Sequence, residues 1–232
     1  MEILGVTKTV VEFLRERIIT GELPANKWLS ESQLASQFGI SRAPLREAFR
    51  ILEEDKLIVS LPRRGCYVAE LSAKDFIELY QAREMIEAYS VDLLKEIGLK
   101  KLPAVERDLK EIGNLRIFLE NSNSKERLNY LFTFVRFHTA LVESTSNRQL
   151  IHFFNKIVFH LARYQFIYAF MPGVILDSKK DHEQIYAYIQ NGEWQRAKEL
   201  LVNHIKSFGQ LLTQKINDYP KTFETDLSET GT

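Results

Sequence analysis

Three histidines in the second half of the chain are the residues best suited to bind a metal ion. His138, His182 and His204 fall in three separate helical patterns, each among apolar residues three or four positions apart. Each imidazole is therefore expected to point into a helical core. Neutral imidazoles from facing helices can hold a divalent transition metal such as Zn, Ni or Co. The pattern predicts a shared metal site, and histidines that only form hydrogen bonds in the core are the alternative.

Arginines in the first third of the chain are spaced for contact with a nucleic acid. Arg42, Arg46 and Arg50 recur every four residues, which places them along about one ridge of a helix. Arg63 and Arg64 stand at the tip of a predicted hairpin. Arginine reaches phosphates and the O6 and N7 acceptors of guanine, and narrow minor grooves attract it. The spacing predicts a helix for the major groove and a hairpin tip for the backbone or minor groove.

Local patterns around these arginines predict a winged helix-turn-helix. Ser30 is a typical N-cap for a first helix, Gly39 allows a tight turn, and residues 42–54 carry the apolar stripe of a second helix. Residues 57–61 and 66–69 read as the two strands of a small wing. Each piece alone also fits an ordinary solvated surface. The order of helix, turn, arginine helix and basic wing is what indicates DNA binding.

The chain after residue 71 has helical periodicity throughout and no strand pattern. Six helices are predicted there, with breaks near Gly98, residues 121–124, residues 172–173 and Pro220. The predicted fold is therefore mainly α, with a winged helix-turn-helix over residues 1–70 and an all-helical bundle over residues 71–220. Residues 221–232 are polar and are predicted to form a loose tail.

Composition limits the classes of protein to consider. A chain of 232 residues with 45% hydrophobic and 27% charged residues has room for two modest folded domains. The formal net charge is zero, so any DNA-binding surface must be local. A single cysteine, Cys66, excludes an intramolecular disulfide and suits a reducing cytoplasm. With no signal-peptide or membrane-span pattern, we expect a cytoplasmic protein without a membrane partner.

Longer motifs in the first 70 residues match a known family. The matching positions are segments 21–24, 29–31, 34–35 and 41–48, and the wing residues Arg64, Gly65 and Val68. They resemble the N-terminal signature of GntR-type bacterial transcription regulators. The chain departs from the family pattern at Ala25, where Gly is usual, and at Ala43, where a second hydroxyl residue is usual. Neither departure removes a charge from the predicted DNA face.

The resemblance implies which side chains touch DNA. Its motif positions point to Arg42, Arg46 and the wing, and Ser32 stands where some members place a further DNA-contacting arginine. The predicted DNA-binding residues are Ser32, Arg42, Ala43, Arg46, Arg50, Arg63, Arg64 and Gly65.

A looser likeness covers roughly residues 71–215. The matching residues are Phe137, His138, Asn147, Leu150, His182, Glu183, Ile185, Ala197 and His204. They are similar to the effector-binding FCD domain of FadR-type GntR regulators. Many members of that subgroup hold a divalent metal through one Asp and three His, and a small carboxylate effector joins the metal. The three histidines match by spacing, whereas Phe134 stands at the Asp position.

The resemblance and its departure at Phe134 define a predicted effector site. Three neutral histidines can still bind Zn, Ni or Co with positions left for a ligand, but an aromatic ring also suits a metal-free relative with a more apolar ligand. Arg83 matches a family arginine that can meet an effector carboxylate, and a surface salt bridge with Glu87 is its alternative. The predicted effector-binding residues are Arg83, Phe134, His138, His182 and His204.

The sequence as a whole indicates a bacterial transcription regulator, by default a repressor, controlled by a small carboxylate effector. One recognition helix and wing read only a few base pairs, so we expect a homodimer on paired operator half-sites. Two alternatives remain: a metal-dependent enzyme built on the three histidines, and a winged-helix module that binds protein. The Glu183 side chain should point about 100° away from His182, which leaves no obvious general base, so no enzyme is predicted.

Overall fold

The computed structural model describes residues 2–115, 122–168, 170 and 174–218. Within these ranges the chain forms nine helices and three short strands. In chain order the elements are α1 (Glu2–Ile19), β1 (Trp28–Leu29), α2 (Glu31–Phe38), α3 (Arg42–Glu54), β2 (Ile58–Leu61), β3 (Gly65–Val68), α4 (Ala73–Glu96), α5 (Pro103–Asn114), α6 (Ser124–Glu143), α7 (Arg148–Tyr168), α8 (Val174–Asn191) and α9 (Trp194–Asp218). The predicted mainly α fold, with a winged helix-turn-helix before a helical bundle, is confirmed.

The N-terminal unit packs α1, α2 and α3 against a small antiparallel sheet. Its core includes Leu14, Leu45, Leu52 and Leu57, none of which has measurable exposure. The α2 helix begins as predicted, because the Ser30 side chain accepts a hydrogen bond from the backbone of α2. These contacts fix α3 with its arginine side turned to solvent.

The predicted two-stranded wing is corrected to a three-stranded sheet with the order β1-β3-β2. Trp28 pairs with Tyr67 and Leu29 with Cys66, so β1 covers the second edge of β3. A strand of two residues is too short to show alternation in sequence. Gly65 fits this arrangement for two reasons. Its φ is +92°, and a Cβ atom there would lie 2.8 Å from Trp28 Nε1.

The C-terminal unit is a bundle of α4 to α9 around a shared apolar core. Phe137, Ile185 and Leu201 bring α6, α8 and α9 together in that core. Ser72 caps α4, accepting from the Asp75 amide at 3.1 Å. Two of the helices differ from the predicted bounds: α5 ends at Asn114, and α8 begins four residues early. The predicted tail over 221–232 lies outside the described residues.

The two units touch along α7. The guanidinium carbon of Arg15 lies 3.7 Å from the centre of the Phe159 ring, and Lys156 Nζ lies 2.7 Å from Glu54 Oε2. Within the C-terminal unit, Tyr164 of α7 donates to Asp75 near the start of α4. The division at residue 70 stays a prediction, although β3 ends at Val68 and α4 begins at Ala73. None of the described helices is long and apolar enough to cross a membrane.

Candidate metal and effector site and candidate DNA-binding face

The three predicted histidines meet in the helical bundle. His138 on α6, His182 on α8 and His204 on α9 are all buried. His182 Nε2 lies 3.0 Å from His138 Nε2 and 3.2 Å from His204 Nε2. The candidate ligand atoms of the group all lie within 4.8 Å of one another. Residues up to 66 positions apart in sequence therefore present the same ring nitrogen to one point.

In two of these rings the other nitrogen, Nδ1, is hydrogen-bonded to a carboxylate. His138 Nδ1 lies 2.6 Å from Glu87 Oε2, and His204 Nδ1 lies 3.0 Å from Asp181 Oδ2. A carboxylate only accepts hydrogen bonds, so the proton is assigned to Nδ1 in both rings and Nε2 is left with a free lone pair. Carboxylates in this position orient histidine ligands and strengthen their basicity in metal sites.

Burial keeps the rings of His138 and His182 neutral. It lowers the pKa of His138 to about 4, and the Glu87 carboxylate opposes that shift only in part. Burial also lowers the pKa of His182 well below its usual value, and the neighbouring His138 and His204 lower it further. Neutral imidazole is the form that binds a metal.

Two of the separations between Nε2 atoms, both measured from His182, fit a metal ion. If His182 Nε2 carried a proton, it could donate a hydrogen bond to only one of the two neighbouring Nε2 lone pairs. A cation among the rings could be bound by the lone pairs of all three Nε2 atoms. Nitrogen ligands of one tetrahedral zinc lie about 3.3 Å apart, given Zn–N distances of about 2.1 Å. The observed 3.0 and 3.2 Å are close to that separation. His182 Nδ1 has no hydrogen-bond partner among the described residues, so its tautomer is not fixed from behind.

Arg83 occupies a buried position beside the cluster. Its Nε donates to Glu87 Oε1 at 2.6 Å, and both side chains are almost fully buried. The alternative of a surface salt bridge with Glu87 is therefore correct in the partner of Arg83 and wrong in the location, because the pair is buried. Burial raises the pKa of Glu87, yet the attraction of His138 and Arg83 and the hydrogen bonds from both outweigh burial and hold that pKa at about 2. Arg83, Glu87 and His138 form a buried chain of charged and polar groups.

A cavity of about 480 Å³, including its opening, lies against the cluster. Arg83, Gln165 and Ser178 line it together with the three histidines. Its apolar lining consists of Leu131, Phe134, Val135, Phe170, Val174, Ile175 and Phe208, with Tyr130 beside them. The structure thus brings together all five predicted effector-binding residues around one space.

Phe134 shapes one wall of this cavity. Its ring centre lies 5.8 Å from that of His182, and Phe137 stacks on His182 at 4.1 Å with an interplanar angle of 7°. Among the described residues no carboxylate joins the three histidines as a direct ligand candidate. The negative charge comes instead from Glu87 and Asp181 behind the rings.

The predicted DNA-binding residues all lie on the surface of the N-terminal unit. They are Ser32, Arg42, Ala43, Arg46, Arg50, Arg63, Arg64 and Gly65, each exposed. The arginines differ in their partners. Arg46 Nε donates to Glu31 at 2.9 Å, and Arg50 is paired with both Glu47 and Glu54 on its own helix.

The wing tip is held by its own backbone. Arg63 has a φ of +63°, in the left-handed region. The Arg64 amide donates to Leu61 O at 3.0 Å, and Tyr67 donates to Arg64 O at 2.9 Å. Arg42, Arg63 and Arg64 have no ion pair within the described part of the chain, so their charges are available to a partner.

A winged helix with an exposed arginine face, followed by a bundle with a buried polar cavity, defines a ligand-controlled DNA-binding regulator. The model of the bacterial regulatory proteins of the gntR family matches residues 6–68, and the FCD domain model matches residues 78–207. The chain belongs to the GntR family of transcription regulators and carries an FCD effector-binding domain. Regulators of this family bind operator DNA and small-molecule effectors, and FCD domains commonly bind metals.

Relatives with assigned descriptions cover much of the chain. The uncharacterized HTH-type transcriptional regulator YdhC of Bacillus subtilis is 29% identical over 82% of this chain and 84% of its own. The transcriptional repressor GlaR of Escherichia coli is 27% identical over 83% and 89%. The gluconate operon transcriptional repressor of Bacillus licheniformis is 31% identical over 62% and 57%.

Solved structures agree in fold. A GntR transcriptional regulator from Rhodococcus sp. RHA1 has a TM-score of 0.69 at 22% identity, over 93% of this chain and 99% of that one. McbR/YncC of E. coli has a TM-score of 0.61 at 18% identity, over 90% and 98%. The family match favours the regulator over the enzyme and protein-binding alternatives.

Sequence patterns did not reveal three contributors to the site. In the sequence, Glu87 is recognisable only as a partner for Arg83. Asp181 lies 23 residues before His204, whose ring it contacts. Gln165 belongs to α7, which carries none of the three histidines. Asp181 and Gln165 have no motif of their own. Glu87 could have been found from its place on the apolar side of α4, where a carboxylate needs a buried partner.

Proposed function

We propose that this protein is a homodimeric repressor that releases its operator when a small carboxylate enters the histidine-lined cavity. The observation that carries the proposal is the position of α7. Gln165 and Phe170 line the cavity, while Lys156 and Phe159 contact the DNA-binding unit. One helix and the turn after it therefore touch both the ligand space and the part that binds DNA. Named repressors among the relatives support the sign of the control.

The recognition surface is assigned to α3 and the wing. Arg42 and Arg46 lie near the start of α3, and Arg63, Arg64 and Gly65 form the wing tip. Arg46 keeps an exposed ion pair with Glu31, and such pairs contribute about 0–1 kcal/mol. A guanine or phosphate can therefore replace Glu31 at little cost. Ser32, Ala43 and Arg50 complete the proposed contact set at its edge.

His138, His182 and His204 would hold a divalent transition metal through Nε2. When bound, the metal would supply a Lewis-acidic position for the oxygen atoms of the effector. Glu87 and Asp181 keep protons on Nδ1 and offset part of the positive charge. Phe137 packs against the face of His182 and fixes that ring.

Arg83 is proposed to orient the carboxylate of the effector. Glu87 accepts from its Nε, which fixes the plane of the guanidinium. A guanidinium has five N–H donors and binds a carboxylate in a two-pronged geometry. Because Arg83 and Glu87 neutralise each other, an entering carboxylate adds net negative charge, which the metal site balances.

The coupling between the sites is proposed to run through α7. An effector that displaces Gln165 or Phe170 shifts the C-terminal end of α7, and the contacts of Phe159 with Arg15 move with it. Arg15 also pairs with Asp55 at the end of α3, at 2.6 Å. The effector would thus favour one placement of α3 relative to the bundle, which is a shift between two populations of the dimer.

The dimer interface is proposed to lie on α4. Ile77, Met85 and Tyr89 are large apolar residues on this helix and are 42%, 67% and 49% exposed. Their spacing of eight and four residues places them on one side of the helix. An apolar side of this kind marks an interaction surface. Met85→Glu should give monomers by light scattering, whereas Leu176→Glu on α8, also at an exposed apolar residue, should leave the dimer intact.

The proposed function is tested by operator release. Fluorescence anisotropy would measure binding to DNA from the region upstream of the gene itself, with and without members of a panel of small carboxylates. At least one carboxylate should raise the dissociation constant, and this response should disappear in a His138→Ala, His182→Ala double variant that still binds DNA. Operator binding that no carboxylate weakens, or release that survives loss of both histidines, would contradict the proposal.

A further inference from the structure

We infer that the effector is an elongated carboxylate with an apolar alkyl or aryl body, and that a polyhydroxylated sugar acid is excluded. This inference rests on the proposed function, because it names the ligand class of the same cavity. Its basis is the change in character of the cavity wall with distance from the histidines.

The wall of the cavity is layered along α6 and α8. Each of these helices contributes one histidine to the cluster and lines the cavity again four and eight residues earlier in the chain. On α6 these residues are Phe134 and Tyr130, and on α8 they are Ser178 and Val174. The histidines form the first layer. A helix rises 1.5 Å per residue, so the second (middle) layer, four residues away, lies about 6 Å from the histidines along the helix axes, and the far layer, eight residues away, lies about 12 Å from them. The space is therefore long in one direction.

The cationic group of the wall lies at the histidine end. Arg83 is bonded through Glu87 to His138, which places it beside the first layer. Gln165 contacts Tyr80 at 3.4 Å, and the Tyr80 ring lies parallel to Phe208 of the second layer at 6.5 Å. Gln165 Oε1 is buried and has no partner among the described residues, so it can accept a hydrogen bond from a water molecule beside the ligand head group.

Apolar side chains cover most of the rest of the wall, and Ser178 and Tyr130 carry the hydroxyl groups there. Phe134 and Phe208 cover the middle layer, and Val174, Ile175 and Phe170 follow beyond it. Most hydroxyl groups of a sugar acid would lose their hydrogen bonds to water there, because only Ser178 and Tyr130 carry hydroxyl groups in these layers, and each uncompensated loss is costly. Methylene or aryl groups would gain free energy by leaving water.

Calorimetric titration of the zinc-loaded full-length protein, without DNA, tests the ligand class. The probes are acetate, butanoate, hexanoate, octanoate and gluconate. Burial of one methylene corresponds to about a fourfold decrease in dissociation constant, so each step of two methylenes should tighten binding about fifteenfold. Octanoate should bind at least one hundredfold more tightly than gluconate.

A variant at the far layer tests the direction of the ligand. Val174→Trp should fill the end of the cavity, so the gain from acetate to butanoate should persist while octanoate binds no more tightly than hexanoate. Leu176→Trp is the matched control, because it lies two residues away on the same helix with an exposed side chain. That variant should reproduce the native series.

The outcomes separate this inference from the proposed function. Affinity that is independent of chain length, gluconate binding tighter than octanoate, or an unchanged series in Val174→Trp would overturn the ligand class, and operator control by another carboxylate would remain open to its own test. A native series with the expected slope supports the ligand class even if octanoate leaves operator affinity unchanged, and that last result would overturn the proposed regulatory role of the cavity.

Discussion

The arginine face of the N-terminal unit and the histidine cluster of the bundle use charge in opposite ways. Arg42, Arg63 and Arg64 are exposed and have no ion pair within the described part of the chain. His138 and His182 are buried, and burial keeps them neutral by lowering their pKa values. The first surface attracts a polyanion from solution. The histidine cluster is shielded from water, and its three Nε2 lone pairs are available to a bound cation or ligand.

This contrast explains why the two sites differ in their sensitivity to changes in helix packing. An arginine on a helix surface needs only the correct ridge, which a four-residue spacing supplies. The histidine site needs three helices to place three imidazole nitrogens within 4.8 Å of one another, and it needs Glu87 and Asp181 to fix two rings. Small changes in helix packing should therefore disturb the histidine site and leave the arginine face intact.

The largest effect is expected on the exposed side of the comparison. Replacing both Arg42 and Arg46 with Ala should weaken specific operator binding by about 3 kcal/mol or more, since one base-reading arginine contributes about 1–3 kcal/mol and a phosphate contact adds to it. Fluorescence anisotropy at several salt concentrations measures the loss and should show a smaller salt slope.

The matched control for this variant is Arg196→Ala, which removes an exposed arginine of α9 that is paired with Glu193. Operator affinity should not change there. Unchanged operator affinity in a folded Arg42→Ala, Arg46→Ala protein would break the comparison, because the exposed arginines would then have no role in DNA binding.

The second effect concerns stability and pH. The pKa of His138 is about 4 in the folded state and about 6.5 in an unfolded chain. Below pH 6.5 the unfolded chain takes up a proton that the folded protein refuses, so stability is lost as the pH falls from 6.5 to 4. Metal-free protein should lose about 2 kcal/mol of unfolding free energy between pH 7 and 5 from this residue alone.

Urea unfolding of EDTA-treated protein at both pH values measures this loss. Glu87, with a pKa of about 2, contributes stability that disappears only below about pH 4.5, so it does not affect this range. His138→Gln should reduce the pH dependence, and His152→Gln, at an exposed site, should not. A pH dependence that is equal in all three proteins would show that His138 is accessible to protons in the folded state.

The smallest effect sharpens the comparison within the arginine face. Arg50 is held by Glu47 and Glu54 on its own helix, so DNA must displace two carboxylates to engage it. Arg50→Ala should change operator affinity less than about threefold, well below Arg46→Ala. A loss as large as that of Arg46→Ala in the same anisotropy assay would mean that Arg50 exchanges its carboxylates for a base or phosphate.

Much of the DNA-binding unit could be predicted because its signals are local. The cap at Ser30, the turn at Gly39 and the stripe of α3 each lie within one or two helical turns of sequence. The strand β1 was missed because two residues carry no period, although Trp28 at the base of the wing explains the need for Gly65. The α1 helix lay outside the predicted elements, yet Val10, Leu14 and Ile18 do follow the helical stripe.

The helical site could be predicted only in part. The apolar surroundings of the three histidines show that each points inward, and the family resemblance suggested that they meet. The partners Glu87, Asp181 and Gln165 come from other helices or other turns, and their proximity depends on how α4, α7 and α9 pack. Periodicity contains no information on such packing. The burial of the Arg83–Glu87 pair was hidden for the same reason.

The most direct test of the account is the metal content of the histidine cluster. Untagged native protein, incubated with zinc and dialysed, should retain one zinc per chain by elemental analysis. The His138→Ala, His182→Ala double variant should retain none while keeping its helical circular dichroism, because a single remaining imidazole is a weak ligand. Native protein that retains no zinc, or a double variant that retains as much as the native protein, would contradict the assignment of the cluster as a metal site.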